Sequence, residues 1–479
     1  MSFAGADRYP RRMTRARSLQ ILLWLVATGF FMQTLDSTIV NTALPAMAAS
    51  LGEKPLRMQS VIIAYALTMA MLIPASGWLA DRYGLRRAFM SAIVLFMVGS
   101  ILCAMSHSLV QLTAARVIQG SGGAMLLPVG RLAVLRAYPR EKLLQAMSFV
   151  AVPGLVGPLV GPMLGGWLVE IASWHWIFLI NIPIGLAGCV ATALYMPEDR
   201  VPQVPRFDLA GYLLLALGMV ATSFALDGLS ELSFQHATVL LLLIFGLVSL
   251  VAYWLRAAQQ TQPLFPPRIF ATHTFSIGLL GNLFARLGSG SMPFLVPLLL
   301  QVSLGYTPFH AGMMMLPTSA AAIASKQVVT PLITRIGYRR MLVINTVLVG
   351  LAMASFALLS GAEPLWLTIA QLAFFGGVNS LQFTAMNTVT LKDLEGSEAS
   401  SGNSLLSMVQ MLSMSLGVAA AGGLLTTFAD AYGHGSELAA FHATFICVGL
   451  MTAASSCIFW QLAPGVFPGH RGEDAPEVG

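Results

Sequence analysis

The chain has 479 residues, of which 56% are hydrophobic and only 10% charged, with a mean hydropathy of +0.76. That composition lies far outside the range of water-soluble globular domains and leaves a polytopic membrane protein. The formal charge of +6 does not mark a nucleic-acid binder, because the arginines fall in short clusters between apolar runs and form no continuous basic face.

Apolar windows of spanning length fall at 19–45, 58–80, 88–106, 109–133, 144–170, 175–196, 209–228, 237–256, 273–302, 309–330, 340–360, 364–389, 400–427 and 440–461. They predict an all-α protein of fourteen spans. Arg8, Arg11, Arg12, Arg15 and Arg17 precede the first window like the start of a signal peptide. No small-residue cleavage site follows, so that window reads as an uncleaved first helix. Alternate loops carry Arg82, Arg86 and Arg87, then Arg131, Arg136, Arg140 and Lys142, and later Arg335, Arg339 and Arg340, with Arg471 in the tail. The intervening loops carry only Lys54 and Arg57. This asymmetry predicts that both termini are cytoplasmic. Cys103, Cys189, Cys447 and Cys457 all lie in apolar runs without CxxC or ligand spacing, and read as packing residues.

In the first span Asp36 sits within MQTLDSTIVNTALP, with Gln33 and Asn41 near it. An ionisable group at that depth should face a cavity or a partner; a structural, hydrogen-bonded aspartate is the alternative. The loop after the second span reads GWLADRYGLRR, with Gly77, Asp81, Arg82, Gly84, Arg86 and Arg87. A loop made basic only to fix topology would use similar residue types, but here an acid and three arginines surround a glycine at the bend. In the fourth span Arg116 and Gln119 of RVIQGSGGA are three apart and share a helix face. The fifth span, GLVGPLVGPMLGG, places Gly154, Gly157, Gly161, Gly165 and Gly166 at spacings of mostly three and four, with Pro158 and Pro162 between them. Such a bare face admits close approach of another helix, and the prolines bend it. Trp174 and Trp176 of SWHWIFLINIPIG read as interfacial anchors.

Arg82, Gly84, Arg86 and Arg87 recur as Arg335, Gly337, Arg339 and Arg340, with Thr334 in the place of Asp81. The offset of 253 residues is longer than six helices need and leaves room for two additional spans. In the second half, Arg286 with Asn282 one turn earlier, and Asn379, Gln382, Asn387, Asn403 and Gln410, are candidates to line a cavity or to bridge helices. Lys326 either faces that cavity or reaches the inner interface, whereas Arg286 is too central to do so. Glu170, Asp227 and Glu231 lie near outer ends. Serines of EASSGNS, Glu398 to Ser404, read as caps of the thirteenth span, whose N-terminus would meet Asp81.

GxLADRxGxRR and RxxQGxGxA resemble the signatures of the major facilitator superfamily of secondary transporters, and LDxTIVNxALP resembles the first-helix motif of its fourteen-span drug:proton antiporter family. The resemblance covers the whole chain. It implies two six-helix bundles, 19–196 and 273–461, with a linker of two inserted helices at 197–272 and tails at 1–18 and 462–479. It also implies a proton-coupled multidrug exporter of a bacterial inner membrane, acting by alternating access as a monomer. Asp36 and Arg116 would serve proton coupling, the Gly77 to Arg87 loop would be a cytoplasmic latch, and Gly154 to Gly166 would be the antiporter motif. Small-molecule substrate, protons and the lipid bilayer are the expected partners, with no cofactor, no metal and no enzymatic activity; GxxxxGK[ST] is absent. Because Asp36 stands against Arg116, Arg286 and Lys326, an exporter of an organic anion such as citrate or a metal-citrate chelate is the alternative. A membrane sensor or lipid-modifying enzyme is the reading from another class, and no signalling domain or catalytic cluster supports it.

Overall fold

The computed structural model of the protein describes residues 15–200, 203–204, 206–230, 236–433 and 436–464. Arg8, Arg11, Arg12, Glu231 and Arg471 lie outside them. Two compact units form, Met1–Phe207 with Thr307–Met313, and Asp208–Tyr306 with Met314–Gly479.

The first unit contains α1 (Arg15–Leu51), α2 (Gln59–Tyr83), α3 (Leu85–Ala104), α4 (Leu109–Ala137), α5 (Arg140–Ile171), α6 (Trp176–Leu179) and α7 (Asn181–Tyr195). At about 1.5 Å per residue, α1 and α5 exceed the ~30 Å of a bilayer's hydrocarbon layer. Only Gly84 separates α2 from α3. Its φ of 93° and ψ of 149° are open to glycine and strained for a residue with a Cβ, and this is what lets two helices meet at a single residue. The turn is sewn to the segment after α7: the Leu85 amide donates to the Asp199 carbonyl (3.1 Å) and Arg86 Nε to that of Met196 (2.7 Å). Trp174 is buried, with its ring 3.8 Å from that of His175, so of the two expected anchors only Trp176 is exposed. The indole of Trp174 packs edge-on against Phe178 and has no room at the surface.

The second unit contains α8 (Leu209–Ser230), α9 (His236–Gln259), α10 (His273–Ser289), α11 (Met292–Leu298), α13 (Leu316–Ser355), α14 (Leu365–Leu391), α15 (Gly396–Tyr432), α16 (Glu437–Ala454) and α17 (Ser456–Phe459). Between them, α12 (Pro308–Met314) has all but its last residue in the first unit. α8 packs on α15, where the hydroxyls of Ser223 and Ser415 are 3.1 Å apart. Gly337, with φ 77° and ψ 161°, interrupts α13 with nearly the geometry of Gly84. The repeat legible in the arginines is thus also a repeat of the backbone. The expected serine caps are corrected: α15 begins at Gly396, Glu395 occupies the cap position and makes no side-chain capping hydrogen bond, and Ser400, Ser401 and Ser404 lie inside the helix. Glu398 is instead paired with Arg268 at 2.9 Å.

Twelve helices among the described residues are long and apolar enough to cross a membrane. The windows 309–330 and 340–360 fall in one 51-residue member of that set, Pro308–Leu358, which contains the break at Gly337. The window 364–389 is α14, 27 residues long but outside the twelve. The window 273–302 is helical but broken, α10 giving way to α11 at Gly290 and Ser291, and α11 to a wider turn at Leu299–Ser303.

Candidate functional site

α1, α2, α3, α4 and α7 converge on one buried polar cluster in the first unit. Asp36 is fully buried and Arg116 is 2% exposed. Arg116 Nη1 donates to Asp36 Oδ2 at 2.7 Å and to Gln119 Oε1 at 2.6 Å. Gln119 Nε2 donates to Asp36 Oδ1 at 2.7 Å and to Ser100 Oγ at 2.8 Å. Asn181 Nδ2 reaches the same Asp36 oxygen at 3.2 Å. Arg116 Nε points to the Val61 carbonyl at 3.4 Å, and its guanidinium lies 4.0 Å from the centre of the Tyr65 ring. The three-residue spacing of Arg116 and Gln119 is what allows one helix to grip both carboxylate oxygens. The pair is neutral as a unit. Removing either charge would strand the other in an apolar interior, a change that costs roughly 3–5 kcal/mol for buried pairs.

Three members of this cluster, Tyr65, Ser100 and Asn181, were not among the residues singled out from sequence. Asn181 alone carried a signal, an amide in the apolar stretch Ser173 to Gly185. Gln33 and Asn41 stay outside the cluster. Their buried side-chain oxygens lack hydrogen-bond partners, while Asn41 Nδ2 reaches the Ser37 carbonyl at 3.5 Å.

The second-half candidates divide into separate groups. Gln410 Nε2 donates to Asn387 Oδ1 (2.7 Å) and reaches Asn282 Oδ1 (3.5 Å), so these three come together. Gln382 is instead tied to Asn345 at 2.9 Å, a bridge between α14 and α13. Asn379 is half-buried and follows Val378, whose carbonyl accepts from Asn345 Nδ2 at 2.9 Å, and Lys326 is exposed. Arg286 Nε is buried without a hydrogen-bond partner, and its guanidinium lies 4.3 Å from the centre of the Phe383 ring. No carboxylate pairs with Arg286 among the described residues.

In the Gly77 to Arg87 loop, Asp81 pairs with Arg136 of α4, whose other Nη lies 3.5 Å from Asp199. The ion-pair partner of Asp81 is therefore a cation of its own unit, where the sequence pointed to a helix N-terminus. α4 runs two turns past its proline and brings Arg136 to the end of α2. Arg82 and Arg87 are exposed, and Gly77 has open space where a Cβ would stand.

The glycines of α5 form a seam against α1. A Cβ at Gly154 would overlap the Phe30 ring, at Gly157 and Gly161 the hydroxyls of Thr34 and Thr38, and at Gly165 the Ile39 carbonyl. Gly166 instead admits the Pro308 backbone. The Thr42 hydroxyl donates across the seam to the Pro162 carbonyl at 3.1 Å, and that of Thr38 points to the Gly157 carbonyl at 3.4 Å. Pro158 takes its place in the same helix, next to Gly157. Among the described residues no group of three or more His, Cys, Asp or Glu could hold a metal ion.

An array of apolar helices with an ion pair sealed among them defines a multi-pass membrane protein. Residues 26–418 match the family model of the Major Facilitator Superfamily. The chain is 52% identical over 446 residues to the "Putative multidrug resistance protein MdtD" of Serratia proteamaculans (strain 568), covering 92% of this chain and 93% of that one. It is 50% identical to the protein of the same name from Pectobacterium atrosepticum, covering 94% and 97%. A crystal structure of a POT family transporter in complex with a thioalcohol-conjugated peptide superposes with a TM-score of 0.69 at 16% identity, covering 92% of this chain and 95% of that one, which speaks to the fold alone. The chain belongs to the Major Facilitator Superfamily, whose members are transporters of small molecules.

Proposed function

We propose that this protein is a proton-coupled exporter of small, lipophilic compounds from the bacterial cytoplasm, working as a monomer of fourteen spans with both termini inside. The names of its relatives support the efflux reading. The division into bundles at 19–196 and 273–461, with inserted helices between, belongs to the same proposal. The observation that carries it is the Asp36–Arg116 pair, held at 2.7 Å within spanning helices where an isolated charge is expensive. Protonating Asp36 would cancel the charge that compensates Arg116, leaving the guanidinium to Gln119 and the Tyr65 ring. Such a cluster has two arrangements, and a helix bundle can be biased by which one holds. Each proton moving inward through 100 mV releases about 2.3 kcal/mol, enough to drive appreciable uphill efflux of a solute. Gln33 and Asn41 of α1, with Asn282, Asn387 and Arg286 of the second unit, are the proposed substrate-facing groups; Gln382 is reassigned to helix bridging.

The unpaired guanidinium of Arg286 favours a second reading, in which the solute carries a carboxylate, as in citrate or its metal chelate. Both readings meet in one experiment on sealed vesicles containing the protein, in which proton movement is followed on adding a cationic dye or a tricarboxylate. The first reading expects proton release with the dye, unchanged in Arg286→Ala. The second expects release with the tricarboxylate, lost in that variant. Proton movement with neither, in vesicles where the protein transports one of them, would end the coupling proposal.

A further inference from the structure

We propose that the second copy of the arginine loop is a binding site for the phosphate headgroup of an anionic phospholipid. Arg335, Arg339 and Arg340 line a cavity of about 510 Å³ together with Trp460, Val343 and Ile344. That volume is within the roughly 300–1,000 Å³ common for small-molecule sites. In the first copy the loop carries its own acid, Asp81, which pairs with Arg136 of α4, and Arg136 also lies near Asp199. In the second copy Thr334 replaces the acid, and its hydroxyl turns back to the Pro331 carbonyl at 2.9 Å. None of the three arginines has a carboxylate partner among the described residues. Glu398 is committed to Arg268, and Asp393 to Lys392 and Thr274. Among the described residues the cavity therefore presents three positive charges and no carboxylate paired with them.

Two features assign the anion such a site would take to a lipid. The helix restarts after Gly337, so Arg339 and Arg340 lie in a first turn, where the backbone also favours an anion. From Arg340 the outer face of the same helix continues through Ile344, Val347, Leu348 and Leu351, all exposed. These positions follow at intervals of four, three, one and three residues and make one apolar track leading away from the charges. A headgroup at the arginines would lay an acyl chain along it. Trp460 closes the boundary: its ring centre is 4.7 Å from the Arg339 guanidinium carbon, and the side chain is 64% exposed, as expected of an indole at the level of the headgroups.

The test is native mass spectrometry of the full-length protein in detergent, titrated with phosphatidylglycerol or phosphatidylcholine. The wild type should retain phosphatidylglycerol in preference. Arg335→Gln should weaken it roughly fivefold, and Arg335→Gln with Arg339→Gln and Arg340→Gln on the order of a hundredfold, at about fivefold per arginine. Arg82→Gln with Arg87→Gln should leave it in place. Should the triple variant fold poorly, the exposed Arg335→Gln alone decides. Absence of headgroup preference in the wild type, or its survival in these variants, overturns the site. Displacement of the lipid by inorganic phosphate makes it a soluble-anion site and overturns the lipid assignment. A preference that emerges only when Glu473, Asp474 and Glu477 are neutralised assigns the cavity to the chain's own tail and does the same.

Discussion

At the scale of single residues, the Asp36–Arg116 pair illustrates how unevenly a membrane interior treats removal of one charge and removal of two. Arg116→Leu leaves Asp36 with the amides of Gln119 and Asn181 but with no positive partner. Combining it with Asp36→Asn leaves neutral groups that the same amides and Ser100 can serve. The apparent unfolding midpoint in detergent should therefore fall further for Arg116→Leu alone than for the double variant, the difference reflecting a part of the roughly 3–5 kcal/mol of a stranded charge. Equal or reversed midpoints would show that the two groups are not coupled. Both charges were visible in the sequence because ions are rare in apolar runs, and Gln119 followed from its spacing. Tyr65 and Ser100 were not. A serine or threonine hydroxyl in a helix can be satisfied by a carbonyl one turn back, as the Thr68 hydroxyl is by Ala64 at 2.7 Å, so Ser100 announces no distant partner, and Tyr65 takes part through its ring face, which a core tyrosine offers equally.

At the scale of elements, the α1–α5 seam and the loop after α2 use glycine for different ends. Gly161→Val would drive a branched side chain into Thr38, and overpacking of this kind costs typically 1–3 kcal/mol. Gly77→Ala meets nothing within 4 Å and gains helix propensity of about 1 kcal/mol. The unfolding midpoint should drop for the first and hold or rise for the second; a drop of similar size in both would contradict the packing described for α5. The seam was legible because the glycines recur at helical spacing. Breaks within spans were less so. Hydropathy reports how long an apolar run is, and it says nothing of whether the backbone stays regular, as between α6 and α7 at Ile180 or between α10 and α11 at Gly290 and Ser291. α14 shows the converse: Gln371, Asn379, Gln382 and Asn387 dilute its hydropathy, while its 27 residues remain one continuous helix. Serines near the start of α15 misled for the reason that hid Ser100, since Ser407 is satisfied inside the helix by the Asn403 carbonyl at 2.8 Å.

At the scale of the whole molecule, the composition fixed the membrane class, and the repeated arginine loop foretold the duplicated turn at Gly84 and Gly337. The partners of the loops did not follow from it. Asp81 pairs with Arg136 because α4 ends beside α2, a matter of tertiary arrangement that no local pattern encodes. The account as a whole rests on Asp36 being the group through which proton movement and solute movement are linked. The most direct measurement compares two activities of Asp36→Asn in proteoliposomes: exchange of labelled for unlabelled substrate, which needs no net proton flow, and accumulation driven by an imposed pH gradient. The account predicts that exchange persists while gradient-driven accumulation is abolished. Accumulation at the wild-type level in Asp36→Asn would contradict it.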